Sequence, residues 1–357
     1  MGLKILVVTP SFSQKGGVVE FNKLLVKYGK SDFSVFELRS GLKQNTPGKV
    51  VVMLSDFLRF TARLIFTSVD VVHVNPSLGK NAVFRDGNLI RIAKVFNKKV
   101  FVQWHGWNPE NEHLLEGKGK TFFQKTFFQA DQIRVLSNHV AMKFTELGFR
   151  NKITLGNTFI DDELLESTSG LNTNDGVFSI LFLSTISKNK GIYLAVEAFQ
   201  ILQSKGVKCE LIIAGIGEEL ENSKKYVTEN ELNNIEFVGH VEGQSKQHVF
   251  RKSNVYLFPS YYEGMPTSVL EAMGFGLPVV CSNAGALAEF FEDGVMGFRI
   301  EEMHAQLFAD ALLKVSGDPE RSQTMSAFNA NYARSRFLAS ESVGVIERDY
   351  QLLLGNE

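Results

Sequence analysis

The chain has 357 residues, enough for two α/β domains with full cores, since one core seldom extends beyond about 250–300 residues. Its 38 Lys and Arg against 39 Asp and Glu give a formal net charge of -1, so there is no bulk attraction to nucleic acid and no such partner is expected. Two cysteines, Cys209 and Cys281, argue against a disulfide framework and for a reducing, cytoplasmic setting, and no apolar run approaches the roughly 18 residues of a membrane span.

The first half alternates strand and helix patterns, which predicts a parallel sheet. Lys4 to Pro10 reads as a first buried strand, too short and without the small-residue cleavage site of a secretory signal. The loop from Ser13 to Val18 follows, with Gly16-Gly17 opening onto a helix. It lacks the Gly-x-Gly-x-x-Gly of a dinucleotide fingerprint. Val69 to Val74 is a further strand, closed by Asn75-Pro76. Lys99 to Trp104 is the next, and His105 stands at its carboxyl end, where open α/β sheets bind ligands. Lys118 to Gln129 interleaves Phe122, Phe123, Phe127 and Phe128 with Lys118, Lys120 and Lys125. Core packing of the Phe face is the preferred reading, and contact with an anionic membrane surface is the other. Ala130 to Ser137 reads as another strand, and Asn157 to Leu165 marks the passage between domains.

The pattern then restarts. Phe178 to Leu183 is a strand, Ser184 to Gly191 a loop carrying Lys190, and Ile192, Ala195, Val196, Phe199 and Leu202 form one face of a helix. Leu211 to Gly217 reads as a strand with a Gly turn containing Gly215, and Ile235 to His240 as another strand-to-loop junction. A nucleotide base has room to lie against backbone of this kind. After Gly317-Asp318-Pro319, a last helix from about Glu341 has Val343, Ile346, Tyr350, Leu353 and Leu354 as its apolar stripe.

The most informative stretch runs from Asn254 to Phe298. Val255 to Phe258 is a buried strand and Pro259-Ser260 a loop signal. Glu263-Gly264 leads into Met265-Pro266-Thr267, with Pro placed to begin a helix. The first-turn N–H groups of that helix lack intrahelical partners and sit at the positive end of its dipole, which suits a phosphate. Gly264 lets the loop approach closely. Glu271 shares a helix face with Thr267, one turn deeper. Carboxylates beside an anion-binding pole suit a ligand carrying both phosphates and hydroxyls, and a nucleotide sugar is such a ligand.

Pro259, Ser260, Glu263, Gly264, Glu271, Ala272, Met273, Gly276, Pro278 and Val279, in this order and spacing, resemble the donor-site signature of retaining GT-B glycosyltransferases, glycosyltransferase family 4 in particular. The resemblance extends from Ile5 to about Arg299 and is strongest after Phe178. It implies two Rossmann-like α/β domains facing across a deep cleft: an acceptor domain at 1–160, on which a helix at 341–357 packs back, and a nucleotide-sugar donor domain at 161–340. It implies phosphate binding by Lys190, ribose binding by Glu271, and contact of Glu263 with the donor sugar. His105 is implied to touch that sugar, with Asn75, where the family often has a second His, near the acceptor. Gly16, Gly17, Gly215, His240, Gly264, Met265, Pro266 and Thr267 complete the implied donor site.

Breaking a sugar–phosphate bond loads charge onto the leaving diphosphate. Nowhere does the chain carry Asp-x-Asp, the usual metal-holding device, so a helix pole and a cation are expected to serve without cofactor or metal. Many relatives also have an Arg where Ser184 or Thr185 stands, and Lys188 or Lys15 are the cations at hand to replace it. The expected partners are a nucleotide-sugar donor and a glycan or lipid-linked glycan acceptor, with peripheral contact at the inner face of the membrane. The expected setting is cell-envelope or exported polysaccharide synthesis. A nucleotide-sugar 2-epimerase of the same architecture and a non-catalytic donor-binding subunit are the alternatives.

Overall fold

The computed structural model describes residues 2–39, 46–166 and 176–355. The chain divides into two compact units, one built from 1–158 and 339–357 and the other from 159–338.

The first unit alternates β1 (Lys4–Pro10), α1 (Gly17–Tyr28), β2 (Asp32–Leu38), α2 (Thr46–Phe66), β3 (Val71–Val74), α3 (Lys80–Val95), β4 (Lys99–Gln103), α4 (Gly117–Phe127), β5 (Gln132–Val135), α5 (Asn138–Glu146) and β6 (Lys152–Leu155). Its six strands are all parallel, in the order β2-β1-β3-β4-β5-β6. The inner strands are near-continuous apolar runs because helices cover both faces of the sheet. Ile5 to Val8, for example, are all buried. The Phe face of α4 belongs to this core: Phe123 and Phe127 are fully buried, and Phe122 and Phe128 pack on the same cluster.

The second unit comprises α6 (Asp162–Glu166), β7 (Phe178–Leu183), α7 (Ile192–Ser204), β8 (Cys209–Ala214), α8 (Leu220–Glu229), β9 (Ile235–Gly239), α9 (Gly243–Lys252), β10 (Val255–Phe258), α10 (Thr267–Gly274), β11 (Val279–Ser282), α11 (Leu287–Phe290), β12 (Gly297–Ile300), α12 (Ala305–Gly317) and α13 (Pro319–Arg336). Its sheet is also parallel and ordered β12-β11-β10-β7-β8-β9. Counted from β7, this is the 3-2-1-4-5-6 order of a doubly wound dinucleotide-type sheet.

The chain then returns to the first unit as α14 (Ala339–Leu353). Polar clamps fix it there beyond its apolar stripe. Tyr350 is fully buried and its hydroxyl hydrogen-bonds His73 Nδ1. Arg134, 3 % exposed, donates to Asp349 at 3.2 Å, and Glu347 accepts from the backbone N–H groups of Lys30 and Ser31 at 2.8 and 2.6 Å. Residues 356 and 357 of the expected final helix lie outside the described residues.

Candidate active site

Each sheet has one switch point, where the strand order reverses and loops leave neighbouring strands in opposite directions. In the second unit it lies between β7 and β10, paired through Val255–Ile180 and Tyr256–Leu181. The loop after β7 carries Lys190, and the loop after β10 carries Glu263 to Pro266. These two loops interlock. Tyr261 N–H donates to Asn189 O at 2.9 Å, and Gly191 sits so close that a Cβ there would meet Pro259 O at 1.9 Å. With φ at +74°, only glycine fits this crossing without strain.

The interlock brings Lys190 Nζ to Glu263 Oε1 at 2.5 Å, with the side chains 27 % and 10 % exposed. The Glu263-Gly264 segment is also supported from behind. Ala286 N–H donates to Gly264 O at 2.7 Å, and a Cβ on Gly285 would lie 2.3 Å from that oxygen. Gly285 is therefore the position at which the support requires glycine.

Helix α10 begins directly after this segment. Its N-cap is Pro266, which has no N–H and no side-chain acceptor, and no side chain caps the first turn. Met265 and Pro266 are buried, while Thr267 and Ser268 are partly exposed. The Val269 N–H closes onto Pro266 O at 3.1 Å, and the Thr267 and Ser268 amides open the positive end of the helix a few residues along the chain from Glu263, the partner of the Lys190 ammonium.

One turn further on, Glu271 is almost fully buried and Lys246 Nζ donates to its Oε1 at 2.5 Å. Both carboxylates of the Glu-x7-Glu spacing are met by an ammonium, and the second of these was not foreseen. Lys246 lies in the first turn of α9, where the helix dipole disfavours a cation. That misplaced charge is the only trace of it in the sequence.

The remaining donor-side residues are more loosely grouped. Gly215 follows β8, and its N–H donates to Gly239 O at 2.7 Å. His240, at the end of β9, is exposed and lies 3.4 Å from Glu242. Lys188 is 73 % exposed and reaches Glu219 at 3.8 Å.

In the first unit the switch point lies between β1 and β3, paired from Ile5–Val71 to Val8–Val74. Gly16 and Gly17 follow β1 and open α1, and a Cβ on either would meet nothing within 4 Å. Asn75 follows β3 and His105 follows β4. Asn75 donates through Nδ2 to Val8 O at 3.1 Å, which leaves its Oδ1 to accept from His105 Nε2 at 2.8 Å. His105 therefore carries its proton on Nε2, and Nδ1 is the acceptor side of the ring. Desolvation pulls its pKa down to about 3, so the ring is neutral. His73, fully buried and bonded to Tyr350, is likewise lowered to about 3 by burial, with the nearby His105 adding to the effect. No group of three or more His, Cys, Asp or Glu side chains among the described residues is arranged to hold a metal ion.

Residues 166–332 match the model of the family described as Glycosyl transferases group 1. Among curated proteins, the chain is 28% identical over 240 residues to the amylovoran biosynthesis glycosyltransferase AmsK of Erwinia amylovora, covering 64% of this chain and 58% of that one. It is 26% identical to the capsular polysaccharide biosynthesis glycosyltransferase CapM of Staphylococcus aureus, covering 57% and 54%. The matched part thus spans little more than half the length of these relatives. Among solved structures it resembles sucrose-phosphate synthase of Thermosynechococcus elongatus, with a TM-score of 0.82 at 16% identity and 99% of both chains covered. It also resembles the Anabaena HepE structure in complex with UDP and glucose, with a TM-score of 0.73 at 15% identity, covering 97% and 99%. The match to the group 1 glycosyltransferase model falls almost wholly within the second unit, and the two parallel doubly wound units have the GT-B fold.

Proposed function

We propose that the chain transfers a glycosyl unit from a nucleoside diphosphate sugar to a hydroxyl acceptor, with retention at the anomeric carbon and without a metal. The observation that carries this reading is the Lys190–Glu263 pair at the switch point, beside the uncapped start of α10. A diphosphate leaving group needs positive charge where its own charge develops. The amides of Thr267 and Ser268 and the Lys190 ammonium supply that charge from fixed positions, at no cost of reorganisation during the reaction.

The roles follow from place and chemistry. Lys190 and the α10 amides take the diphosphate, with Gly264, Met265 and Pro266 shaping its approach. Glu271, held by Lys246, accepts from the ribose hydroxyls. Glu263 turns to the sugar once phosphate has replaced it on Lys190. Gly215 and His240 border the nucleoside. In the first unit, Gly16, Gly17, Asn75 and the neutral His105 serve the sugar and the acceptor, His105 offering Nδ1 to a hydroxyl. Where relatives have an Arg near Thr185, Lys188, largely exposed and 3.8 Å from Glu219, and Lys15 are the cations that would take its place.

The names of the relatives, capsular polysaccharide and amylovoran synthesis, favour a surface polysaccharide as the product, and the UDP in the HepE structure favours a uridine nucleotide. A thermal-shift screen over nucleoside diphosphate sugars, run in chelator, tests the donor. A true donor raises the melting temperature by mass action. Product analysis by NMR then tests transfer and anomeric retention. Formation of an isomeric nucleotide sugar without acceptor contradicts the proposal, as does a donor that binds only when a divalent ion is added.

A further inference from the structure

Helices α2, α3 and α4 pack side by side in the first unit, α2 on α3 and α3 on α4. Helix α2 carries more apolar surface than covering a sheet requires. Its inner face buries Phe60 and Leu64. Val51, Leu54, Leu58 and Ile65 then recur at helical spacing on a second face, every one more than half exposed, with Leu58 at 74 %. Phe66 at the end of the helix is 82 % exposed. The solvent face of α3 continues the surface with Phe84, between the exposed cations Lys80 and Arg91, and with Val95 one turn after Arg91. Phe84 stacks on Phe122 of α4 at 5.4 Å, beside a helix whose three lysines are exposed.

The charges on this layer have one sign. Three basic residues on α2, four on α3 and three on α4 make ten, against the two acidic residues Asp56 and Asp86. Both aspartates are buried and tied to arginines, Asp56 to Arg59 at 2.9 Å and Asp86 to Arg85 at 2.7 Å. The described residues of the three helices therefore expose no carboxylate, in a chain whose net charge is -1. Of the acidic side chains that flank the three helices, Asp131 pairs with Lys94 of α3 at 2.8 Å, Asp70 accepts from the Lys4 N–H at 2.9 Å, and Glu112, in the turn before α4 with Glu110 and Glu116, is held by Trp107 and Lys143. No helix among the described residues is long and apolar enough to cross a membrane.

We propose that this layer is a docking surface for an anionic lipid bilayer. The α2 stripe enters the boundary between headgroups and acyl chains, and the cations of α3 and α4 meet lipid phosphates. A second copy of the chain is the poorer occupant, because symmetric pairing would set one positive layer against another. The inference stands apart from the donor site and is tested by binding alone.

The test is co-sedimentation of the full chain with phosphatidylcholine vesicles, with and without about one third phosphatidylglycerol. The wild type should partition at least about tenfold more strongly to the anionic vesicles, and about 0.5 M salt should weaken that binding. Combined Leu54→Ser, Leu58→Ser and Ile65→Ser should lower it about tenfold or more, with the melting temperature and the response to UDP unchanged. Lys118→Glu with Lys120→Glu should weaken it through charge alone. Equal binding to both vesicle types, or a serine variant that sediments like the wild type, overturns the proposal. So does a wild-type dimer by light scattering that the serine variant breaks while neither protein binds vesicles.

Discussion

Replacing Glu263 with Gln should tighten the binding of a nucleoside diphosphate while abolishing glycosyl transfer. In the ligand-free chain Glu263 occupies Lys190 at 2.5 Å, with both side chains less than a third exposed. An entering phosphate must displace this carboxylate before it can take the ammonium. A charge-assisted hydrogen bond of this kind contributes about 1.5–3 kcal/mol, reduced here to about 1–2 kcal/mol by residual solvent screening. Glutamine keeps the size of the side chain and removes the competing charge. UDP affinity should therefore rise about 5- to 30-fold, at a factor of ten for each 1.4 kcal/mol. UDP is the right probe because it has no sugar for Glu263 to contact. Isothermal titration of UDP into wild type and Glu263→Gln at low salt measures the difference, which should shrink as salt is added. An affinity that is unchanged or weaker in the variant refutes the competition argument.

Lys246→Met should lower UDP affinity about tenfold, because it leaves the nearly buried Glu271 without its ammonium, and Lys246→Arg should recover most of the loss, both by the same titration. Asp349→Ala should destabilise the first unit by about 3–5 kcal/mol in denaturant unfolding, because it strands the buried Arg134 guanidinium. Stability should also fall on acidification. His73 and His105 have folded pKa values near 3, below the usual 6.5, so the unfolded chain binds more protons between those values and stability is lost as pH drops through that window. From pH 6.5 to 5 each group contributes roughly 1.5 kcal/mol of loss, and a His73→Leu variant should show a visibly shallower decline of melting temperature with pH.

Much of this was readable in the chain. The inner strands announced themselves as apolar runs, because a parallel strand covered on both faces needs no polar residue. The edge strands did not. Asp32–Leu38 and Lys152–Leu155 lie at the two ends of the first sheet, are only partly buried, and carry Asp, Ser, Glu, Lys and Thr accordingly. Position was legible too: Asn75 and His105 follow carboxyl ends of strands in the first sheet, and Lys190 and Glu263 lie in loops after strands of the second, where their order in the chain puts them.

Pairing between distant residues could not be read in that way. Nothing near Lys246 in sequence points to Glu271, and nothing near Glu263 shows that Lys190 already neutralises it. The Phe face of the Lys118 to Gln129 interleaving fills the core, the arrangement its helical spacing favours. The exposed apolar stripe belongs instead to α2, where both faces are apolar and the sequence pattern alone does not say which is buried.

The central claim is that a diphosphate binds to Lys190 and the first-turn amides of α10. A crystal structure of the full chain soaked with UDP in the presence of chelator tests it most directly. The account predicts phosphate oxygens within hydrogen-bonding reach of the Thr267 amide and the Lys190 ammonium, with Glu263 turned away. Nucleotide bound elsewhere, or a Lys190–Glu263 contact left intact beneath a bound diphosphate, would contradict it.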